Sequence, residues 1–121
     1  MRPEEVVWFF NHKKGEKAYF METRNVIQIF TPSSKWAIFK NDYTRFHRFS
    51  LYHYNDKRRK GYHKQMEGYE LDYLVYCACY HDEPEFVSPK EWKEFQRLWE
   101  MYKLGREIEE SVATWDFLCK D

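Results

Sequence analysis

Between Arg45 and Lys64 the chain interleaves cations with rings: Arg45, His47, Arg48, Tyr52, His53 and Tyr54 are followed by Lys57-Arg58-Arg59-Lys60, Tyr62, His63 and Lys64. Cations neutralise phosphates and flat rings stack on unpaired bases, so this alternation suits a groove that follows a nucleic-acid backbone. The candidate binding set is Arg45, Arg48, Tyr52, Tyr54, Lys57, Arg58, Arg59, Lys60 and Lys64. Rings packed in a core, with cations solvating an edge loop, account for Phe46, Phe49 and Leu51 but less well for consecutive cations from Lys57 to Lys60. A second grouping is Cys77-x-Cys79-x-His81, whose thiolates and imidazole are zinc-ligand types. Period-two spacing puts all three on one side of a strand. That spacing is shorter than a Cys-x-x-Cys knuckle and no second pair accompanies it, so Cys77 and Cys79 are read as small core residues. The chain has only 4 glycines and neither a Walker loop nor Gly-x-Gly-x-x-Gly, which excludes a phosphate-cradling loop of those kinds.

Short elements must position these groups. Val6 to Phe10 is a continuous apolar run and reads as a strand, joined through a turn at Gly15 to Ala18–Met21 as a hairpin. Asn25–Phe30 is rich in β-branched residues, and Trp36–Phe39 follows the turn Thr31-Pro32-Ser33-Ser34, so both read as strands. Alternation over Thr44–Tyr54 sets His47, Phe49, Leu51 and His53 on one face and Phe46, Arg48, Ser50, Tyr52 and Tyr54 on the other. Rings on both faces predict a central strand. Asn55–Gly68 reads as a polar loop, and Leu71–Tyr80, the most apolar stretch, as a buried strand.

The period then changes. Ser88 and Glu91 around Pro89 form a capping box that starts a helix. Leu98, Met101, Gly105, Ile108, Val112, Trp115 and Cys119 follow in alternating steps of three and four, one helical stripe that Trp92, Phe95, Trp99 and Tyr102 widen in the first turns. Gly105 is a point at which the helix could divide in two. The expected fold is α+β, an antiparallel-rich or mixed sheet of about five strands packed against a C-terminal helix or helix pair, with Trp115 in the core. Residues 1–121 are expected to form a single domain, mainly β and basic over 1–87, mainly helical and acidic over 88–121.

Formal net charge is zero across 121 residues, but the average hides a split. Residues 1–64 carry 14 basic and 6 acidic side chains, a balance of +8, and residues 65–121 carry 6 and 14, a balance of −8. Such a dipolar chain can present a basic face to phosphates, or its halves can neutralise each other. A mean hydropathy of −0.90 and the absence of a long apolar run exclude a membrane span, and the opening residues lack a secretory layout. With 3 cysteines, an odd number, reduced thiols and a cytoplasmic, intracellular location are expected.

One longer order of residues has chemical content. Phe9-Phe10-Asn11, a turn at Gly15, Tyr19-Phe20-Met21-Glu22-Thr23-Arg24, Arg48-Phe49-Ser50-Leu51-Tyr52, Leu71-Asp72-Tyr73-Leu74-Val75-Tyr76 and Glu85-Phe86-Val87-Ser88-Pro89 before a helix resembles the core of small PD-(D/E)XK nucleases. The resemblance puts Glu22 at the family's metal-binding Glu and Arg24 at its Lys, and these are the candidate catalytic residues. It implies magnesium as the cofactor if cleavage is retained, and otherwise no cofactor. The family's Asp has no counterpart, since Trp8 and its neighbours occupy that strand and only Glu4 and Glu5 lie near it. Glu22 alone holds magnesium poorly, and a permanently protonated Arg24 cannot accept a proton. The resemblance therefore implies a nuclease-like scaffold without catalysis, a small nucleic-acid-binding protein. The alternative expectation is a viral, phage or immunity-type modulator that inhibits a partner protein through exposed Trp and Tyr anchors.

Overall fold

The computed structural model describes residues 1–40, 48–54 and 61–119, with side chains in the last helix described through Trp115. The chain divides into two compact units, Met1–Val87 and Ser88–Asp121. The first contains α1 (Pro3–Lys14), β1 (Tyr19–Glu22), β2 (Val26–Phe30), β3 (Lys35–Phe39), β4 (Phe49–Tyr54), β5 (Tyr62–Gly68) and α2 (Leu71–Cys79), closed by a short 3-10 turn at Pro84–Phe86. The five strands form one antiparallel meander in sequence order. The α+β class is as expected, but two of the expected strands are helices and one expected loop is a strand.

Val6–Phe10 is not a strand. Its flanks decide the conformation: Pro3 stands in the first turn, Glu4 and Glu5 meet the positive end of the helix dipole, and Gly15 closes the helix in a left-handed conformation with φ 65°. Glu5 Oε1 accepts the Arg2 backbone N–H at 2.7 Å. Within the run, Val6, Phe9 and Phe10 recur at helical spacing and are buried with Val7, while Trp8 is exposed. Leu71–Tyr80 is the second correction. Every residue from Leu74 to Tyr80 is buried, and a helix apolar on all sides gives no stripe to distinguish it from a buried strand. β5 is the third, since Tyr62–Gly68 pairs along β4 from Tyr54↔Tyr62 to Phe49↔Gly68. Its register skips Gln65 between Tyr52↔Lys64 and Leu51↔Met66, a β-bulge.

The sheet's two faces follow from the registers. Ile27↔Ile38, Ile29↔Trp36, Trp36↔His53 and Ile38↔Leu51 are opposite one another and share one face. α2 packs on this face: a Cβ added at Gly68 would stand 3.0 Å from Leu74 Cδ2, so glycine permits the close approach of α2 to β5. α1 lies beside α2, with Phe10 edge-on to Tyr80 at 5.1 Å. Each fully buried Ile or Leu in this layer contributes about 1.5–3 kcal/mol.

The second unit is α3 (Pro89–Cys119), which starts where expected: Ser88 Oγ accepts the Glu91 backbone N–H at 3.2 Å. Gly105 does not divide it. Trp92, Phe95 and Trp99 are buried, but the expectation of Trp115 in a core is overturned, for it is 67% exposed. Among the described residues no helix is long and apolar enough to cross a membrane.

Candidate nucleic-acid interface

Pleating sends alternate residues to the sheet face opposite α1 and α2, and the strand registers line these up in rows. The first row runs across all five strands: Tyr19 opposite Phe30, Phe30 opposite Lys35, then Tyr54 opposite Tyr62. Lys35 links the two parts, its Nζ lying over the Tyr54 ring at 5.0 Å, and Tyr54 meets Tyr62 edge-on at 5.3 Å. The second row is Met21, Gln28, Ala37, Tyr52 and Lys64. Phe39 stands edge-on to Tyr52 at 5.4 Å. At the spacing of paired strands, such a row spans about 19 Å. Tyr19, Met21, Lys35, Phe39, Tyr62 and Lys64 are exposed, and Tyr52 and Tyr54 half-buried, while the small Ala37 and Ser50 on the same face are buried.

Of the residues singled out from sequence, this face joins Tyr52, Tyr54 and Lys64. Lys64 also pairs with Glu67 at 2.8 Å. Arg48 precedes β4 and lays its guanidinium over Tyr69 at 4.9 Å, donating to its hydroxyl at 3.0 Å. Arg45 and the run Lys57, Arg58, Arg59 and Lys60 lie outside the described residues. By sequence, however, that run joins Tyr54 to Tyr62, the pair that ends the first row. Sequence reasoning missed Tyr19, Phe30, Lys35 and Phe39. Their alternation, Tyr19-x-Met21 and Lys35-x-Ala37-x-Phe39, was visible, but which strands lie side by side is a property of the meander.

The residues of the nuclease resemblance are distributed differently. Glu22 ends β1, where its carboxylate takes Lys40 Nζ at 2.6 Å, and Arg24 is exposed in the turn between β1 and β2. Glu4 and Glu5 lie on α1 and pair with Arg2. Among the described residues no three His, Cys, Asp or Glu side chains converge as metal ligands. Cys77 and Cys79 are not on one side of a strand: two residues apart on α2 they diverge by about 200°. Both are buried, and burial pushes the thiols up to about 11 and about 12 respectively, so neither is poised as a thiolate.

A second polar cluster occupies the helix-covered face. The His53 ring stacks on Trp36 at 4.2 Å, its Nε2 stands 2.9 Å from Ser34 Oγ, and His81 lies 5.2 Å away. Burial, then the charge of His81, lowers the His53 pKa below its ordinary 6.5, with Asp82 opposing. Trp36 and His81 also line a cavity of about 150 Å³ together with Phe10, Lys14, Cys79 and Glu83. Lys14 and Glu83 pair across it at 2.5 Å. The sequence offered no motif for this cluster, because the turn before β3, the end of β4 and the end of α2 meet only in the fold. No protein family, curated protein or solved structure matches the chain.

Proposed function

We propose that the protein binds single-stranded nucleic acid on the sheet face that carries Tyr19, Lys35, Tyr52, Tyr54, Tyr62 and Lys64. The observation carrying this reading is Lys35 Nζ held 5.0 Å over the Tyr54 ring, with Tyr62 at its edge. A ring capped by an ammonium presents the two chemistries that an unpaired nucleotide needs, a stacking plane and a cation for the phosphate. An incoming base displaces the ammonium from the ring and the phosphate receives it, so a cation–π contact is exchanged for a stack and an ion pair. Duplex bases are already stacked on each other and cannot use the rings in this way. The four cations between Tyr54 and Tyr62 in sequence add sequence-independent attraction along the backbone. The reading requires no cleavage and uses neither Glu22 nor Arg24.

Fluorescence anisotropy with labelled oligonucleotides tests it. Stacking is worth about 1–3 kcal/mol per base, so Tyr54→Ala and Tyr62→Ala should each weaken binding to a single-stranded probe by about 5- to 150-fold. Tyr54→Phe keeps the ring and should stay within about twofold. Equal affinity of Tyr54→Ala and Tyr54→Phe at matched salt would remove stacking from the account.

A further inference from the structure

On the helix-covered face, opposite the rows proposed to hold nucleic acid, the cavity of about 150 Å³ is lined by two residues with hydrogen-bonding atoms that the fold does not use. Trp36 is 1% exposed, and its Nε1–H is buried with no acceptor among the described residues. Glu83 takes Lys14 Nζ on Oε1, while its Oε2 is buried with no donor among the described residues. A buried donor or acceptor without a partner carries its full desolvation cost, which a bound group of the opposite kind removes. The two atoms therefore describe a ligand that accepts from an indole and donates to a carboxylate. Their frame is fixed. The Glu83 backbone N–H donates to the Tyr80 carbonyl at 2.9 Å in the turn that ends α2, and Asp82 in the same turn accepts the Ser33 hydroxyl at 2.8 Å. The turn before β3 and the turn after α2 are thus tied together at the exposed rim of the cavity.

We propose that this cavity binds a small primary ammonium that also carries a neutral oxygen acceptor, an amino alcohol or an amino amide. Charge selects the ammonium. The lining sets the acids Glu16, Asp82 and Glu83 against one base, Lys14, which is already paired with Glu83. An ammonium donating to Glu83 Oε2 makes a charge-assisted hydrogen bond, stronger than a neutral donor would make. The Trp36 Nε1–H selects the acceptor, since a plain alkylammonium leaves it unpaired. That acceptor is neutral, because a carboxylate would add a negative charge to a lining already in acid excess. Volume sets the size: a cavity of about 150 Å³ takes one benzene ring, so the ligand is limited to about six heavy atoms. Phe10 and the Trp36 indole supply apolar surface for the carbons between its two polar ends. Water can also accept and donate, but it brings no charge to the excess acids.

Proton–nitrogen correlation spectra of the full chain, titrated at constant pH and salt with ethanolamine or glycinamide, read the outcome at the Trp36 indole N–H. That resonance is the one lost in Trp36→Phe or, should this variant not fold, the one with through-space contacts to the His53 ring stacked 4.2 Å away. The expected result is a saturable shift. Ethylammonium, which lacks the acceptor, ethylene glycol, which lacks the charge, and glycine, whose acceptor is a carboxylate, should each bind at least about tenfold more weakly. Glu83→Gln, in a turn and only partly buried, should weaken ethanolamine at least about tenfold while leaving the other indole resonances in place. The absence of a saturable shift, which leaves water as the cavity's occupant, overturns the proposal. So does binding of ethylammonium, ethylene glycol or glycine as tight as that of ethanolamine, or affinity indifferent to Glu83→Gln.

Discussion

His53 carries its ordinary chemistry in an unusual setting. Its ring is stacked on Trp36 and held by Ser34 Oγ, His81 stands close by, and a proton added there must be accommodated in a partly desolvated site. Burial is the larger cause of its lowered pKa, the His81 charge the next, and His63 acts in the same direction while Asp82 opposes. The sign of the linkage follows. With a folded pKa below 6.5, the unfolded chain takes up the proton first, so acid favours unfolding. The stability contributed by neutral His53 is full above about pH 6.5 and declines as pH falls from there toward the folded pKa. Melting temperatures between pH 7.5 and 5.0 should therefore fall more steeply for the natural chain than for His53→Gln, whose baseline is lower but flatter. Parallel pH profiles for the two proteins would mean that His53 takes up its proton equally well folded and unfolded.

At the scale of elements, the joint between α1 and β1 rests on one side chain. Asn11 donates from Nδ2 to the Ala18 carbonyl and accepts the Ala18 backbone N–H on Oδ1, both at 2.8 Å, so its amide pairs with Ala18 as a neighbouring strand would. Asn11→Ala leaves both backbone groups of a buried residue without that partner and should cost about 1–3 kcal/mol in denaturant unfolding. Asn11→Asp replaces a donor with a second acceptor facing the Ala18 carbonyl and should cost at least as much. A midpoint unmoved by either substitution would place the strength of the joint elsewhere. The same elements show what was legible from the sequence. β2 alternates cleanly in burial, and the predicted faces of Phe49 to Tyr54 hold in the strand registers, because the pleat enforces a period of two, although β3 and β4 also bury Ala37 and Ser50 on the opposite face. α1 was misread because five apolar residues outweighed the Pro3, acidic-first-turn and Gly15 signals at its ends. α2 carried no periodic signal, being buried all round. β5 (YHKQMEG) has little strand character of its own and owes its conformation to the hydrogen bonds offered by β4. For the interface, Tyr52, Tyr54 and Lys64 were legible as residue types, and Lys35 and Tyr19 were not, because their place beside Tyr54 and Phe30 depends on strand order.

For the whole molecule, the split between +8 over residues 1–64 and −8 over residues 65–121 sets the sign of the proposed surface's response to salt. The sheet face belongs to the basic half, and its attraction for phosphate is a release of condensed counterions, so added salt weakens it. One titration series reads this: oligonucleotide affinity should fall as salt is raised. Lys57, Arg58, Arg59 and Lys60 decide the slope, as four consecutive cations in the connection between two tyrosines that meet edge-on. Replacing all four with Ala should weaken binding to every single-stranded sequence alike, because cations that neutralise phosphates carry no base information. It should also make the log–log salt dependence shallower by about 0.7 for each phosphate that is no longer neutralised. Tyr54→Ala should instead lower affinity and leave the slope unchanged, since a stack releases no ions. If the quadruple substitution changes neither affinity nor slope, the run is a solvated connection, and the affinity of the face must come from Lys35, Lys64 and the rings alone.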